Sequence, residues 1–538
     1  MRDPDGAATC IYESDGEAVR KLRRAAFFVF LALLVPVLAS GSTPALADED
    51  DEAATGEIVA KIDPRSGATI DQINQRYGTS TKDAVLASGK IYLLQAPASG
   101  STEDLTETME SDRSLLYAEP NYIVETPEGN PRHRARSDYA PAASSEPNYS
   151  DQYAAGAMRL GAAHRTSRGA GTTVAVLDTG VQTDHPELSG SLVSGYDYVD
   201  DDSDPSEAAS GALVGHGTHV AGIVHLTAPE ARIMPMRVLD AEGRGDVFLI
   251  AEAVQGAVRR GADVVNLSLG SSEESELLED VFEELAEPED DDVPAVEGVP
   301  REGVVVVGSA GNNNTVVEQY PAAEDGVISV ASVDAAEQKS EFTSFGGEWV
   351  DVAAPGEDIH SPFPTDGYAS WTGTSMAAPF VAGQAALIRS VRPSLPAAPD
   401  DDDGSANASI EGIITSSARN LNDARLGSGH ADAARSLAAS NLAPTVTPGS
   451  PGPGARVKTR TPALAATVRD PGSTLAKSNI RVFVRGAERT NFNYNPSTGQ
   501  LSFRSARLPY GATGVRVTAT DALGKSTSRS WSFRVVRR

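Results

Sequence analysis

Three short stretches hold the side chains in this chain best suited to act together. "TVAVLDTGV" ends an apolar run on Asp178, "GHGTHVAG" sets His216 and His219 among glycines, and "WTGTSMAAPFVAG" carries Ser375 amid small residues, with Pro379 four positions on. The run before Asp178 reads as a buried strand. In an open α/β sheet the carboxyl ends of such strands form the crevice where ligands sit. Glycines around His216 permit a sharp turn into a close-packed helix. Ser375 reads as the start of another helix, where free N–H groups and the helix dipole favour negative charge. That setting suits a serine whose attack creates an oxyanion. Singly, each residue has a plainer reading: a turn-forming aspartate, a histidine in a glycine-rich turn, a helix-capping serine. Together they place an acid, an imidazole and a hydroxyl at strand ends and helix starts in the order Asp, His, Ser.

The elements that must position them occupy about half the chain. From Tyr149 to about Leu442, buried-type strands ("TVAVLDTG", "ADVVNLSLG", "GVVVVGSAG", "GVISVASV") alternate with helical windows at Val247–Arg260 and Met376–Val391. That alternation predicts an α/β domain, a parallel sheet with helices on both faces. Before it, Gly56–Glu125 reads as a small α+β unit with a helix near Asp71–Tyr77. A polar stretch, "PEGNPRHRARSDYAPAASSEP", then suits a proteolytic linker. After it, "APTVTPGSPGPGARVKTRTP" reads as a Pro/Gly-rich linker, and short alternating strands predict an all-β immunoglobulin-like sandwich. The boundaries expected are 1–47, 48–126, 127–148, 149–440, 441–460 and 461–538.

Composition narrows the partners. With 538 residues and a net charge of −30, the chain has room for two or three domains and is a poor match for nucleic acid or anionic membrane. The charge is uneven: from Asn441 onward sixteen Lys and Arg face three acids, about +13, leaving the remainder near −43. An acidic surface poor in lysine is compatible with adaptation to salt. Ala25–Ala39 is an apolar run after Lys21, Arg23 and Arg24, too short to span a bilayer, and "ALAD" offers a cleavage site after Ala47. Residues 1–47 thus read as a secretory signal with an extended N-terminal region, implying export, with a signal anchor as the alternative. The one cysteine, Cys10, falls in that segment, so the exported protein would carry no disulfide.

"VAVLDTGV", "HGTHVAG" and "GTSMAAPFVAG" resemble the three signature segments of the subtilisin-like serine proteases, and the resemblance runs from about Pro147 to Ala439. It implies hydrolysis of peptide bonds through an acyl-enzyme, with Ser375 as nucleophile, His216 as general base and Asp178 as the carboxylate that orients the imidazole. His219 matches a structural histidine. Asn312, in "VVVVGSAGNNN", matches an asparagine that stabilises the oxyanion, with the Ser375 N–H as second donor. Ser268, Leu269 and Gly270 match an edge that pairs with extended peptide. Ser309, Ala310 and Gly311 would border the pocket for the residue before the scissile bond, and Leu239 and Val247 would line subsites further away. Residues 48–126 resemble an inhibitory propeptide whose closing "AEPNYIVE" lies in the cleft, with cleavage expected between about Glu125 and Asn148.

The resemblance implies no cofactor for catalysis and a monomer acting on protein or peptide substrates. The loop that supplies a calcium site in many relatives is missing, and Glu187 stands where an aspartate is usual, so no metal ligand is assigned. Two acidic interruptions, at Glu287–Gly298 and Pro399–Ser405, read as solvated loops, with structural calcium as an alternative that defines no site. The rival reading is a silent binding protein on the same scaffold.

Overall fold

A computed structural model describes residues 53–85, 90–128, 141–142, 149–286, 300, 302–399, 408–470, 474–521 and 524–537. The proposed signal segment with Cys10, the acidic insertion at 287–298 and nearly all of the one at 399–405 lie outside the described residues.

The central layer is a seven-stranded sheet. Its order is Val352–Pro355, Val327–Val333, Val305–Ser309, Val264–Leu267, Thr173–Asp178, Arg232–Arg237 and Tyr196–Asp197, every pair parallel. The inner strands are rich in valine and alanine because helices cover both faces. One face packs Val174, Val176, Val305, Val307 and Val330 against the helices His216–Thr227 and Thr374–Val391. The other packs Ala175, Leu177, Val265 and Val306 against Val247–Arg259 and Glu276–Ala286. The carboxyl ends of three adjacent strands therefore bring Asp178, the segment Ser268–Gly270 and the loop to Asn312 to one edge.

Thr374–Val391 is buried along most of its length and holds Pro379 inside it. Proline has no N–H, so the carbonyl four residues back, that of Ser375, loses its helical partner. Ser268 Oγ donates to that carbonyl at 3.1 Å. The proline thus ties the backbone of Ser375 to the neighbouring strand end.

The N-terminal unit is an antiparallel sheet of Ser80–Val85, Ile91–Gln95, Ala53–Ile62 and Leu115–Glu125, with helices Ile70–Tyr77 and Thr102–Glu110. Its last strand continues into the α/β domain: Ile123, Val124 and Glu125 pair antiparallel with Asp246, Gly245 and Arg244. Asn121 Oδ1 accepts from Phe248 N–H at 3.1 Å, and Lys61 pairs with Asp280 at 2.5 Å. Glu119 caps the helix Glu276–Ala286, accepting from Ser275 Oγ and Glu276 N–H at 2.8 Å each. Burial pushes its carboxyl up to about 7, and the nearby Glu276 charge adds to the rise. Glu324, beside Glu279 and Glu274, is pushed by burial to about 9.

A carboxyl raised from its ordinary value by docking takes up a proton on docking. That contribution is full below about 4.5 and is lost as pH rises through about 7. Release of the N-terminal unit should accordingly quicken between pH 5 and pH 8. Glu119→Gln should flatten that dependence, read as the rate at which the N-terminal unit dissociates once the chain has been cut after it.

The C-terminal unit is a sandwich of a four-stranded and a five-stranded sheet. Their inward residues, among them Leu464, Val468, Val482, Val517, Trp531 and Phe533, form one core. The segment 441–460, read as a linker, enters this fold. Thr445–Pro448 pairs with Ala463–Arg469, and Arg456–Val457 pairs with Arg534–Val535. Its Thr-Val-Thr alternation buries Val446, and the Pro/Gly content serves the turn between the two strands.

Candidate active site

Asp178 ends its strand fully buried, and its Oδ1 accepts from the Thr179 N–H and from His216 Nδ1–H, both at 2.7 Å. His216 opens its helix, with Gly215 before it at φ 96°, a left-handed conformation that glycine adopts without strain. A Cβ on Gly217 would lie 2.1 Å from the Gly180 carbonyl, so the helix start and the strand end approach more closely than any side chain allows. Glu207 braces both elements, accepting from Thr218 N–H and Oγ1 and from Thr179 Oγ1. Burial pushes Glu207 up to about 7, with backbone donors opposing. Trp371 stacks near the rings of His216 and His219 at 5.2 and 5.4 Å.

Ser375 is the second residue of Thr374–Val391, so its N–H is one of the first four without an intrahelical acceptor. Asn312 follows the strand Val305–Ser309. Its Oδ1 accepts from Thr374 N–H at 3.0 Å and Thr374 Oγ1 at 2.9 Å, which turns the amide's Nδ2 donors toward the space beside Ser375. Gly311 N–H donates to the same threonine hydroxyl at 3.1 Å.

One carboxylate occupies that space, and it comes from the N-terminal unit. Glu128 Oε1 accepts from Asn312 Nδ2 at 2.8 Å, and its Oε2 accepts from Ser375 Oγ at 2.7 Å and meets His216 Nε2 at 3.2 Å. The Ser375 hydroxyl therefore spends its proton on Glu128, which bridges it to the imidazole. Burial alone would push His216 down, but the carboxylates of Asp178 and Glu128 outweigh it and carry it up to about 10. Burial would likewise raise Glu128, and bonds and charge from His216, then Ser375 and Asn312, hold it below its ordinary value. His216 is thus an imidazolium between two carboxylates. His219 is different: burial, then the His216 charge, push it down to about 3, and its Nε2 donates to the Ile359 and Ala369 carbonyls.

The segment Ser268–Gly270, expected to pair with peptide, lies along the path of the N-terminal unit's last strand. Glu125 exchanges both backbone hydrogen bonds with Gly270, at 3.0 and 2.8 Å, and Thr126 N–H donates to the Gly243 carbonyl. Val124 packs in the same apolar cluster as Leu239, Val247 and Leu269. Ser268, Ser309, Ala310 and Gly311 are buried, the last three leading directly into Asn312. The chain therefore enters the cleft as an added strand. By this register Glu128, placed in the linker by sequence, reaches His216, Asn312 and Ser375. Pro141–Ala142 pairs with Tyr368–Ala369, and the rest of 129–148 lies outside the described residues.

Glu128, Glu207 and Trp371 were missed in the sequence. Glu128 alone had a signal. A strand expected in the cleft up to Glu125 must deliver the next few residues toward Ser375.

Glu187 accepts from Tyr368 OH at 3.2 Å and lies 3.7 Å from His225 Nε2. Among the described residues, no group of three or more His, Cys, Asp or Glu side chains could hold a metal ion. No helix among them is long and apolar enough to cross a membrane.

Residues 169–431 match the Subtilase family and residues 41–121 the Fervidolysin N-terminal prodomain. A thermophilic serine proteinase of Bacillus sp. (strain AK1) is 37% identical over 350 residues, 62% of this chain and 78% of that one. Thermitase of Thermoactinomyces vulgaris is 40% identical over 251 residues, 45% of this chain and 83% of that one. The crystal structure of fervidolysin from Fervidobacterium pennivorans, a keratinolytic enzyme related to subtilisin, superposes with a TM-score of 0.57. It covers 91% of this chain and 77% of its own at 21% identity, a likeness of fold.

Proposed function

This chain belongs to the subtilase family of serine endopeptidases, and on that premise we propose that Ser375 is its nucleophile, His216 its general base and Asp178 the carboxylate orienting that base. Asn312 and the Ser375 N–H stabilise the oxyanion. The observation that carries the reading is the convergence of His216, Ser375 and Asn312 on one carboxylate, with Asp178 bonded behind the imidazole.

The chemistry follows from those positions once the N-terminal unit has withdrawn. An extended substrate pairs with Gly270 and Gly243 and sets its carbonyl carbon beside Ser375 Oγ. His216 Nε2 takes the hydroxyl proton as the C–O bond forms, and Asp178 stabilises the imidazolium. The carbonyl oxygen, now an anion, accepts from Asn312 Nδ2. His216 gives its proton to the leaving amine, and water repeats the sequence on the acyl-enzyme.

The N-terminal prodomain acts as an intramolecular inhibitor, removed by cleavage between about Glu125 and Asn148. The protein is exported through its signal segment, and the enzyme works as a monomer without a cofactor. The aliphatic walls formed by Leu239, Val247 and Leu269 favour apolar side chains on the substrate. The basic sandwich, residues 461–538, is an accessory module.

After prodomain removal a fluorophosphonate should label Ser375, and casein should be cleaved. Loss of Glu128 takes away one of the two charges that raise His216, so its titration returns toward the ordinary range. A base works only when neutral, so activity should rise as pH passes from about 6 to 8. An optimum near pH 4, or failure of the mature enzyme to react with the probe, would overturn the assignment.

A further inference from the structure

The prodomain brings more than a paired backbone to the catalytic centre. We propose that the Glu128 side chain is an anionic plug that imitates the oxyanion and keeps the uncleaved chain latent by bonding Asn312, Ser375 and His216 together. The proposal rests on the assignment of those three residues to catalysis.

The geometry is that of a built site. Glu128 is 4% exposed. Its two oxygens take up the available bonds, Oε1 from Asn312 Nδ2 at 2.8 Å, Oε2 from Ser375 Oγ at 2.7 Å with His216 Nε2 at 3.2 Å. The hollow it fills exists because residue 373 is glycine. A Cβ there would lie 1.7 Å from Glu128 Oε1 and 3.1 Å from Asn312 Nδ2. The ligand chemistry is specific, because a neutral donor, a hydroxyl and an imidazolium all point their hydrogens at one spot, and only an acceptor bearing negative charge satisfies all three.

Each bond disables one part of the mechanism. Asn312 is occupied, so no carbonyl oxygen can enter its reach. The serine hydroxyl is turned to the carboxylate instead of the imidazole. The imidazole is held protonated between Asp178 and Glu128 and has no lone pair free to accept the serine proton. The plug itself resists attack, because a carboxylate is a resonance-stabilised anion and a poor electrophile. Strand pairing alone would present a peptide bond to the nucleophile as a substrate does. The Glu128 side chain puts an unreactive group there, and cutting the chain beyond residue 128 leaves the plug in place.

The test is fluorophosphonate labelling of the full chain, wild type, Glu128→Gln and Glu128→Ala, with uncleaved and mature species resolved on a gel. The uncleaved band of both variants should label about tenfold faster or more than wild type, the scale set by losing hydrogen bonds to a charged group. Glu128→Asp should fall between. Mature bands should label alike in all chains, which also reports folding. Equal labelling of the uncleaved bands would overturn the plug, and an unlabelled wild-type mature band would instead overturn the catalytic assignment. Should a variant give no mature band, a C-terminally amidated peptide spanning Leu115–Glu128 is tested against wild-type mature enzyme. The same peptide carrying Glu128→Gln should inhibit about tenfold more weakly, and equal inhibition would overturn the proposal.

Discussion

Ser375→Ala should leave the chain unprocessed and its peptidase activity lower by about 10⁶-fold, a magnitude known from subtilisin itself rather than computed from this site. The substitution removes only an oxygen from a fully buried position, so the helix Thr374–Val391 and its packing stay intact. The bond from Ser268 Oγ to the Ser375 carbonyl survives as well. What disappears is the atom proposed to form the acyl-enzyme. Residual hydrolysis, about 10³–10⁴ above water, would come from Asn312 and substrate pairing. Processing is the second readout. If maturation is autocatalytic, the variant accumulates as a species that retains the N-terminal unit through Glu125. Normal processing would show that another protease cuts the linker, and near-normal hydrolysis by a mature variant would remove Ser375 from the mechanism.

The positions of these residues were legible because their local signals are short-range. Asp178 ends a run of four apolar residues, and in a chain of alternating strands and helices that run reads as a buried parallel strand. His216 and Ser375 sit where glycines and small residues mark tight helix starts, and both do open helices. Glu207 and Trp371 gave no such sign. Glu207 lies in a polar loop whose composition looks solvated, and it is buried only because Thr179 and Thr218, distant in sequence, fold around it. Trp371 ends a strand whose neighbours reveal nothing of the histidine rings it meets. Glu128 lies between these cases, since the strand expected in the cleft up to Glu125 leads to it. Local composition around "TPEGNPRHR" says exposed linker, whereas the register of a strand pairing more than a hundred residues away decides where the glutamate goes. The same holds for Thr445–Pro448, where proline and glycine read as a linker while the pairing with Ala463–Arg469 makes it the first strand of a sandwich.

Asn312→Ala should lower kcat by about 10²–10³-fold with little change in KM, equivalent to about 2.7–4 kcal/mol of barrier, again a scale established with subtilisin. The split follows from when the bond forms. A neutral amide gains little from a ground-state carbonyl that substrate pairing at Gly270 already positions, and much from the full charge of the tetrahedral intermediate. The amide is prepared for that moment, since Thr374 holds Oδ1 through two hydrogen bonds and leaves Nδ2 no rotation to make. Thr374→Val, which deletes one of those bonds and frees Gly311 N–H, should therefore give a smaller loss in kcat of the same kind. Asn312→Asp should be worse than alanine, because a carboxylate would face the developing anion with a like charge. A variant whose KM rises while kcat holds would show that Asn312 binds substrate rather than the intermediate.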